Sequence, residues 1–205
     1  METITAYVGP MMSSKTDGLA THCHELNLGN RSVLAFRPSK DTRVTEPIIQ
    51  SRNSNIKIPC NLATDSAELW RVFFASKEAY HVVAIDEAQL FNGEIASYLR
   101  VIRRTHEVVL AGLDLDYRGE PFGQMPEILA LADKVVKLTA VCNKCGERTA
   151  RYTQRLRNGQ PDSAFAESIV IEGRENLVYQ ARCHRCFEEP PDIDSWRAQH
   201  CNRFC

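Results

Sequence analysis

Short runs of β-branched and apolar residues alternate with stretches of three- to four-residue apolar spacing through the first two-thirds of the chain. Residues 3–8, 31–36, 82–86, 108–113 and 134–138 read as strands. Such runs, separated by helical patterns, are what a buried parallel sheet requires. Between them Asp65 is placed to cap a helix, with Glu68 answering three residues later, and Leu69, Val72 and Phe73 recur on one helical face. A second helix is predicted over 94–104, with Ile95, Leu99 and Ile102 inward, and a shorter one follows Pro126.

Residues 38–59 break the pattern, being polar, proline-bounded and without clear period. They are too long for an ordinary connection and read as a mobile functional loop. From Val141 onward turns, short strands and paired cysteines replace the alternation. This predicts an α/β fold, with a parallel-sheet domain over 1–139, a small cysteine-containing domain over 140–187, and a poorly ordered tail over 188–205 beginning Glu188-Glu189-Pro190-Pro191.

A length of 205 residues suits one main core with an appendage. With 25 basic and 26 acidic residues, no global field draws the chain to nucleic acid or to a membrane, so any anion site is local. No basic leader with an apolar run opens it, and no segment approaches the ~18 apolar residues of a membrane span. The expectation is a soluble, cytoplasmic protein.

Gly9-Pro10-Met11-Met12-Ser13-Ser14-Lys15-Thr16 follows the first strand and opens a helix. It matches the phosphate-loop pattern except that Ser14 stands at the second glycine. In such a loop backbone N–H groups and the helix N-terminus face phosphate oxygens, Lys15 adds charge and Thr16 reaches Mg²⁺. Ser14 must then accept a glycine-like backbone position, and the Asp17 carboxylate competes with phosphate for the helix end. An ordinary strand-turn-helix is the alternative. The apolar run from His81 to Ile85 ends in Asp86-Glu87, as expected where a Walker-B carboxylate meets Mg²⁺. Neighbouring strand residues point opposite ways, so Asp86 suits the metal shell and Glu87 suits a proton acceptor; the alternative is a solvated turn.

Eight cysteines could signal disulfides, but Cys142-Asn143-Lys144-Cys145 and Cys183-His184-Arg185-Cys186 form two Cys-x-x-Cys knuckles. Four thiolates at this spacing suit a closed, structural Zn²⁺ site, with two disulfides or a redox pair as alternatives. His200, Cys201 and Cys205 read as spare groups on the tail.

Four linked motifs together resemble the zinc-containing type II thymidine kinases. They are Gly9-Pro10-Met11 before Ser14-Lys15-Thr16; Asp86-Glu87-Ala88-Gln89 with Phe91; residues 111–123 from Ala111 to Gly123; and residues 138–145 ending in the first knuckle. The resemblance runs from Tyr7 to Phe187. It implies a RecA-like phosphate-loop domain, a zinc-anchored lasso closing over the nucleoside, a homotetramer or homodimer, and transfer of the γ-phosphate of ATP to thymidine or deoxyuridine in nucleotide salvage. It implies Glu87 as general base, Arg43 at the transferring phosphoryl group, and Asp41, Asp86 and Gln89 with the phosphate loop around ATP and Mg²⁺. Without it Arg43 reads as a surface ion pair. It further carries Leu113, Tyr117, Phe122, Thr153 and Tyr179 into the nucleoside pocket, with the backbone of Ile169, Val170, Ile171 and Glu172 along the base. Core packing at a strand end is the other reading of Leu113, Tyr117 and Phe122. Glu172 stands where the family has glycine, so it either faces solvent or selects a different nucleoside.

Arg148, Arg151, Arg155 and Arg157 cluster after the first knuckle, which raises a rival reading as a nucleic-acid-binding or regulatory module. Glu167, Glu172 and Glu175 on the returning arm favour a solvated hairpin and no nucleic-acid partner.

Overall fold

The computed structural model describes residues 2–42, 44, 46–50, 55–76, 79–170 and 176–200. The proposed sites at Arg43, Ile171 and Glu172, and the tail cysteines Cys201 and Cys205, lie outside these residues. The main sheet has six strands: β1 (Ile4–Val8), β2 (Val33–Pro38), β5 (Asn61–Ala63), β6 (Val82–Ile85), β7 (Glu107–Gly112) and β8 (Lys134–Lys137). Their order is β5-β2-β6-β7-β1-β8, and every pairing is parallel.

Alternation along the strands divides the core between two faces. Val83, Ile85, Val108 and Leu110 pack on one face against Leu69 of α2 (Ser66–Ala75), Ile95, Leu99 and Ile102 of α3 (Ile95–Ile102), and Ile128 of α4 (Met125–Leu131). Val82, Ala84, Val109 and Ala111 pack on the other against Leu19, Ala20 and Cys23 of α1 (Lys15–Leu28). Each fully buried leucine or isoleucine contributes roughly 1.5–3 kcal/mol relative to exposure. Small residues let α1 lie close: a Cβ on Gly18 would sit 2.7 Å from the Tyr7 ring.

The Asp65 side chain accepts from the Glu68 N–H at 2.8 Å and starts α2 as predicted. The Glu68 carboxylate instead reaches Thr64, accepting from its N–H and hydroxyl at 2.7 Å each, which holds that carboxyl below its usual range. Residues 38–59 differ from the structureless loop expected. They contain an antiparallel hairpin of β3 (Ile48–Gln50) and β4 (Lys57–Pro59), whose Ile49 and Ile58 are buried against the α1 side of the sheet.

Beyond β8 a second sheet of three antiparallel strands follows, in the order β10-β9-β11, made from β9 (Tyr152–Arg157), β10 (Gln160–Pro161) and β11 (Leu177–Arg182). Asn158 and Gly159 turn β9 into β10 with φ of 51° and 80°, the left-handed pair a tight hairpin needs. The segment after Phe187 is not irregular throughout: it carries α5 (Ile193–His200), with Pro190 and Ile193 buried. Among the described residues no helix is long and apolar enough to cross a membrane.

Candidate active site

All strands of the main sheet are parallel, so their carboxyl ends open at one edge, and the predicted phosphate and metal residues fall there. Gly9 leaves β1 with φ 149°, and a Cβ at this position would lie 2.5 Å from the Leu138 carbonyl oxygen. Only glycine lets the chain pass the residue after β8 so closely. The loop then turns through positive φ at Met12 (64°) and Ser14 (62°) before α1 begins. Ser14 therefore adopts the left-handed position that glycine holds in the usual motif. Ser13 donates to the Pro10 carbonyl at 2.8 Å, and the Lys15 ammonium donates to the same oxygen at 2.6 Å, curling over the loop.

Thr16 Oγ1 lies 3.2 Å and 3.3 Å from the carboxylate oxygens of Asp86, across 70 residues of chain. Burial pushes the Asp86 carboxyl up to about 7, and the Glu87 charge adds to this; the Glu87 N–H, the Thr16 hydroxyl and Lys15 oppose it. A buried carboxylate beside a hydroxyl is an all-oxygen donor set lacking positive charge, which fits a hard divalent cation such as Mg²⁺. Glu87 has left-handed backbone angles, φ 48° and ψ 46°. Such angles in a non-glycine residue are held against an intrinsic cost and cluster at functional sites. Its Oε2 accepts from Gln89 Nε2 at 2.6 Å, and Gln89 Oε1 accepts from the Leu113 N–H at 2.9 Å. Gln89 thus ties the carboxylate to the end of β7.

These groups border one cavity of about 400 Å³. Met11, Met12, Ser13, Ser14, Lys15, Thr16, Asp41, Asp86, Glu87 and Gln89 line it, as do Leu113, Tyr117, Phe122, Thr153, Ile169, Val170 and Tyr179. Gly9 and Pro10 shape the loop without facing the cavity. Thr153 makes a contact that its sequence did not indicate: its buried hydroxyl accepts from the Met11 N–H at 3.0 Å, joining β9 to the phosphate loop.

Tyr117 is largely spoken for as well. Its hydroxyl points to the Ser163 carbonyl at 2.8 Å and the Ala166 carbonyl at 3.1 Å, and the Arg155 and Arg118 guanidinium carbons lie 3.4 Å and 4.4 Å from its ring centroid. Burial raises its phenol to about 12 against the pull of both arginines. Tyr179 donates to the Val170 carbonyl at 2.8 Å. The aromatic residues thus shape the 163–170 wall besides lining the cavity.

The sequence reading missed Arg37, Ile49 and Ser168, which also line the cavity. Arg37 is buried at the end of β2 and donates to the Val44 and Glu46 carbonyls at 2.8 Å and 3.1 Å. An arginine closing an otherwise apolar strand was the available signal.

The knuckles converge. The four Sγ atoms of Cys142, Cys145, Cys183 and Cys186 lie within 4.8 Å of one another, with Cys145 and Cys183 3.8 Å apart. Tetrahedral Zn–S bonds of about 2.3 Å place sulfurs roughly 3.8 Å apart, so the cluster fits Zn²⁺. None of the four is paired in a disulfide, nor is Cys23 or Cys60. Burial works against ionisation of Cys142, but N–H groups of Cys183, Cys145 and Lys144 directed at its sulfur bring it down to about 6. Asn143 locks the first knuckle to β11, its N–H donating to the Ala181 carbonyl at 2.9 Å and its Oδ1 accepting from the Ala181 N–H at 2.7 Å.

Two of the four clustered arginines serve this unit internally. Fully buried Arg155 forms an ion pair with Asp162 at 2.8 Å, without hydrogen-bond alignment, and Arg157 donates to the same carboxylate at 2.9 Å.

Among solved structures, the cytoplasmic domain of the Thermomonospora curvata type VII secretion ATPase EccC is similar with a TM-score of 0.41 at 9% identity, over 92% of this chain and 24% of that one. This chain spans about a quarter of that protein's length, and a likeness of this degree supports no inference. The thymidine kinase family matches residues 2–187, which include the phosphate loop, the Asp86-Glu87 step and both cysteine knuckles. The chain belongs to the thymidine kinase family.

Proposed function

We propose that this chain transfers the γ-phosphate of ATP to the 5′-hydroxyl of thymidine or deoxyuridine. Family membership supports a nucleoside kinase in general. The observation that carries the finer reading is the single cavity in which Lys15 and Thr16 face Asp86 and Glu87, continuous with the wall of Leu113, Phe122, Ile169, Val170 and Tyr179. Its volume of about 400 Å³ falls within the ordinary range for small-molecule sites.

Lys15 and the loop N–H groups hold the β- and γ-phosphates. Mg²⁺ bound near Thr16 and Asp86 would neutralise charge on the phosphate oxygens. The Glu87 carboxylate, oriented by Gln89, takes the proton of the 5′-hydroxyl as its oxygen bonds to the γ-phosphorus and the β–γ bridging bond breaks, leaving ADP. Arg43 and Asp41 are assigned to the phosphate side. On the other side Phe122 offers an aromatic face, and the peptide edge from Ile169 meets the base. A fixed edge made for the thymine carbonyl leaves a polar group unpaired against the cytosine amino group, which gives discrimination. The four cysteines hold structural zinc, and the family resemblance adds a homodimer or homotetramer, which light scattering would test.

A panel of deoxynucleosides with ATP and Mg²⁺ tests the assignment. Thymidine and deoxyuridine are expected to be phosphorylated, and Glu87→Gln to lower turnover by roughly 10²–10⁴-fold. No transfer to either pyrimidine defeats the specificity; a variant within twofold of the parent removes Glu87 as base.

A further inference from the structure

Helix α5 lies beyond residue 187, where the family match ends, yet its contacts run to the wall of the cavity. The buried Gln154 side chain of β9 pairs with the backbone of Glu188 like a neighbouring strand, donating to its carbonyl at 2.9 Å and accepting from its N–H at 2.8 Å. Four residues later the Asp192 carboxylate accepts from the Ser163 hydroxyl at 2.6 Å and the Ala164 N–H at 2.7 Å. The Ser163 hydroxyl bond, then the Ala164 N–H, hold that carboxyl below its usual range. One helical turn on, the Trp196 ring centroid lies 4.8 Å from the Arg118 guanidinium carbon, and Arg197 pairs with Glu120 at 2.7 Å.

Arg118 is the other half of this arrangement. It is buried, and its in-plane donors reach the Asp116 carboxylate at 2.6 Å, the Ala164 carbonyl at 2.7 Å, the Ala166 carbonyl at 2.9 Å and Ser168 Oγ at 3.2 Å. A planar fork fixed at its edge by the Asp116 carboxylate and two carbonyls, and on its face by aromatic rings, has little freedom left. Ser168, Ile169 and Val170, directly after these anchor points, line the cavity.

We infer that segment 188–197 is a strap that sets the nucleoside-side wall at 163–170, with Asp192 and Trp196 as positioning residues that never touch substrate. Calling that wall the nucleoside side rests on the proposed kinase reading; the strap itself does not.

The test uses the full chain and two readouts, amide hydrogen exchange over 163–170 in protein without nucleotide, and KM values for nucleoside and ATP. Asp192→Ala removes two charge-assisted bonds and Trp196→Ala removes the stack on Arg118. Each is expected to speed exchange over 163–170 by about tenfold or more and to raise nucleoside KM by roughly 5–20-fold. ATP KM and zinc content stay within about twofold, and Trp196→Phe restores both readouts. Melting curves for the two tryptophan variants separate local loosening from unfolding. Unchanged exchange in Asp192→Ala and Trp196→Ala overturns the strap. Faster exchange with an unmoved nucleoside KM overturns its link to substrate. A parent chain that phosphorylates no nucleoside, while exchange responds as stated, defeats the kinase reading and leaves the strap supported.

Discussion

Replacing Asp86 by asparagine separates what the site does for stability from what it does for chemistry. Asp86 is 6% exposed, and its carboxyl stands at about 7 in the fold against an ordinary value of 3.8. An acid whose folded pKa exceeds its unfolded one favours folding only while protonated. That contribution is complete below about pH 4 and is lost as pH rises through 7. At pH 8 the ionised, buried carboxylate therefore weighs on the metal-free protein by up to about 4 kcal/mol. Asparagine keeps the shape and one oxygen for the Glu87 N–H, which Asp86 binds at 3.0 Å, without the charge. For a chain of this size ~1 kcal/mol moves the melting temperature by roughly 2–4 °C. Differential scanning calorimetry of metal-free protein at pH 8 is expected to show Asp86→Asn melting several degrees, at most about 16 °C, above the parent. The gap should shrink as pH falls below 7 and close only near pH 4, and saturating Mg²⁺ should narrow it at pH 8 by stabilising the parent alone. Phosphoryl transfer by the variant is expected to fall by roughly 10²-fold or more. An asparagine variant less stable than the parent at pH 8 without metal would refute the view of Asp86 as a buried charge awaiting a cation.

Two further outcomes follow from the geometry. Ser14→Gly relieves a left-handed backbone in a residue with a Cβ and should raise stability by ~0.5–1 kcal/mol in urea denaturation; a loss of stability would show that the serine side chain holds the loop. Freshly purified protein should contain about one zinc per chain, and a strong chelator or Cys142→Ser should speed exchange in β9 and β11 while leaving β1, β6 and β7 protected. Less than half an equivalent of zinc, or protection unchanged by chelation, counts against a structural metal.

The inner strands of the parallel sheet were legible because they are apolar runs: Val82, Val83, Ala84 and Ile85 are all fully buried, so no face of β6 needed polar residues, whereas edge strand β5 escaped because only Ala63 of its three residues is buried. The phosphate loop and the Asp86-Glu87 step were equally plain, since each is local in sequence and sits where a parallel strand ends. The hairpin of β3 and β4 escaped because each strand has three residues and buries just one isoleucine, too few to establish a period. Helix α5 escaped for a different reason. Its sequence is polar and weakly amphipathic, and it is held by Ser163, Ala164, Arg118 and Glu120, all distant in the chain. Tyr117 and Thr153, which the resemblance carried into the nucleoside pocket, both line the cavity, but the Thr153 hydroxyl bond to Met11 and the Tyr117 bonds to 163–166 are tertiary facts without a local signature.

The Thr153 hydroxyl grips the Met11 amide across 142 residues, so the phosphate-loop turn and the β9 ribbon, which both border the cavity, share one fastening. A molecule that stiffens either side leaves less disorder for its companion to remove. On the proposed kinase reading, nucleotide and nucleoside are then disposed to assemble cooperatively.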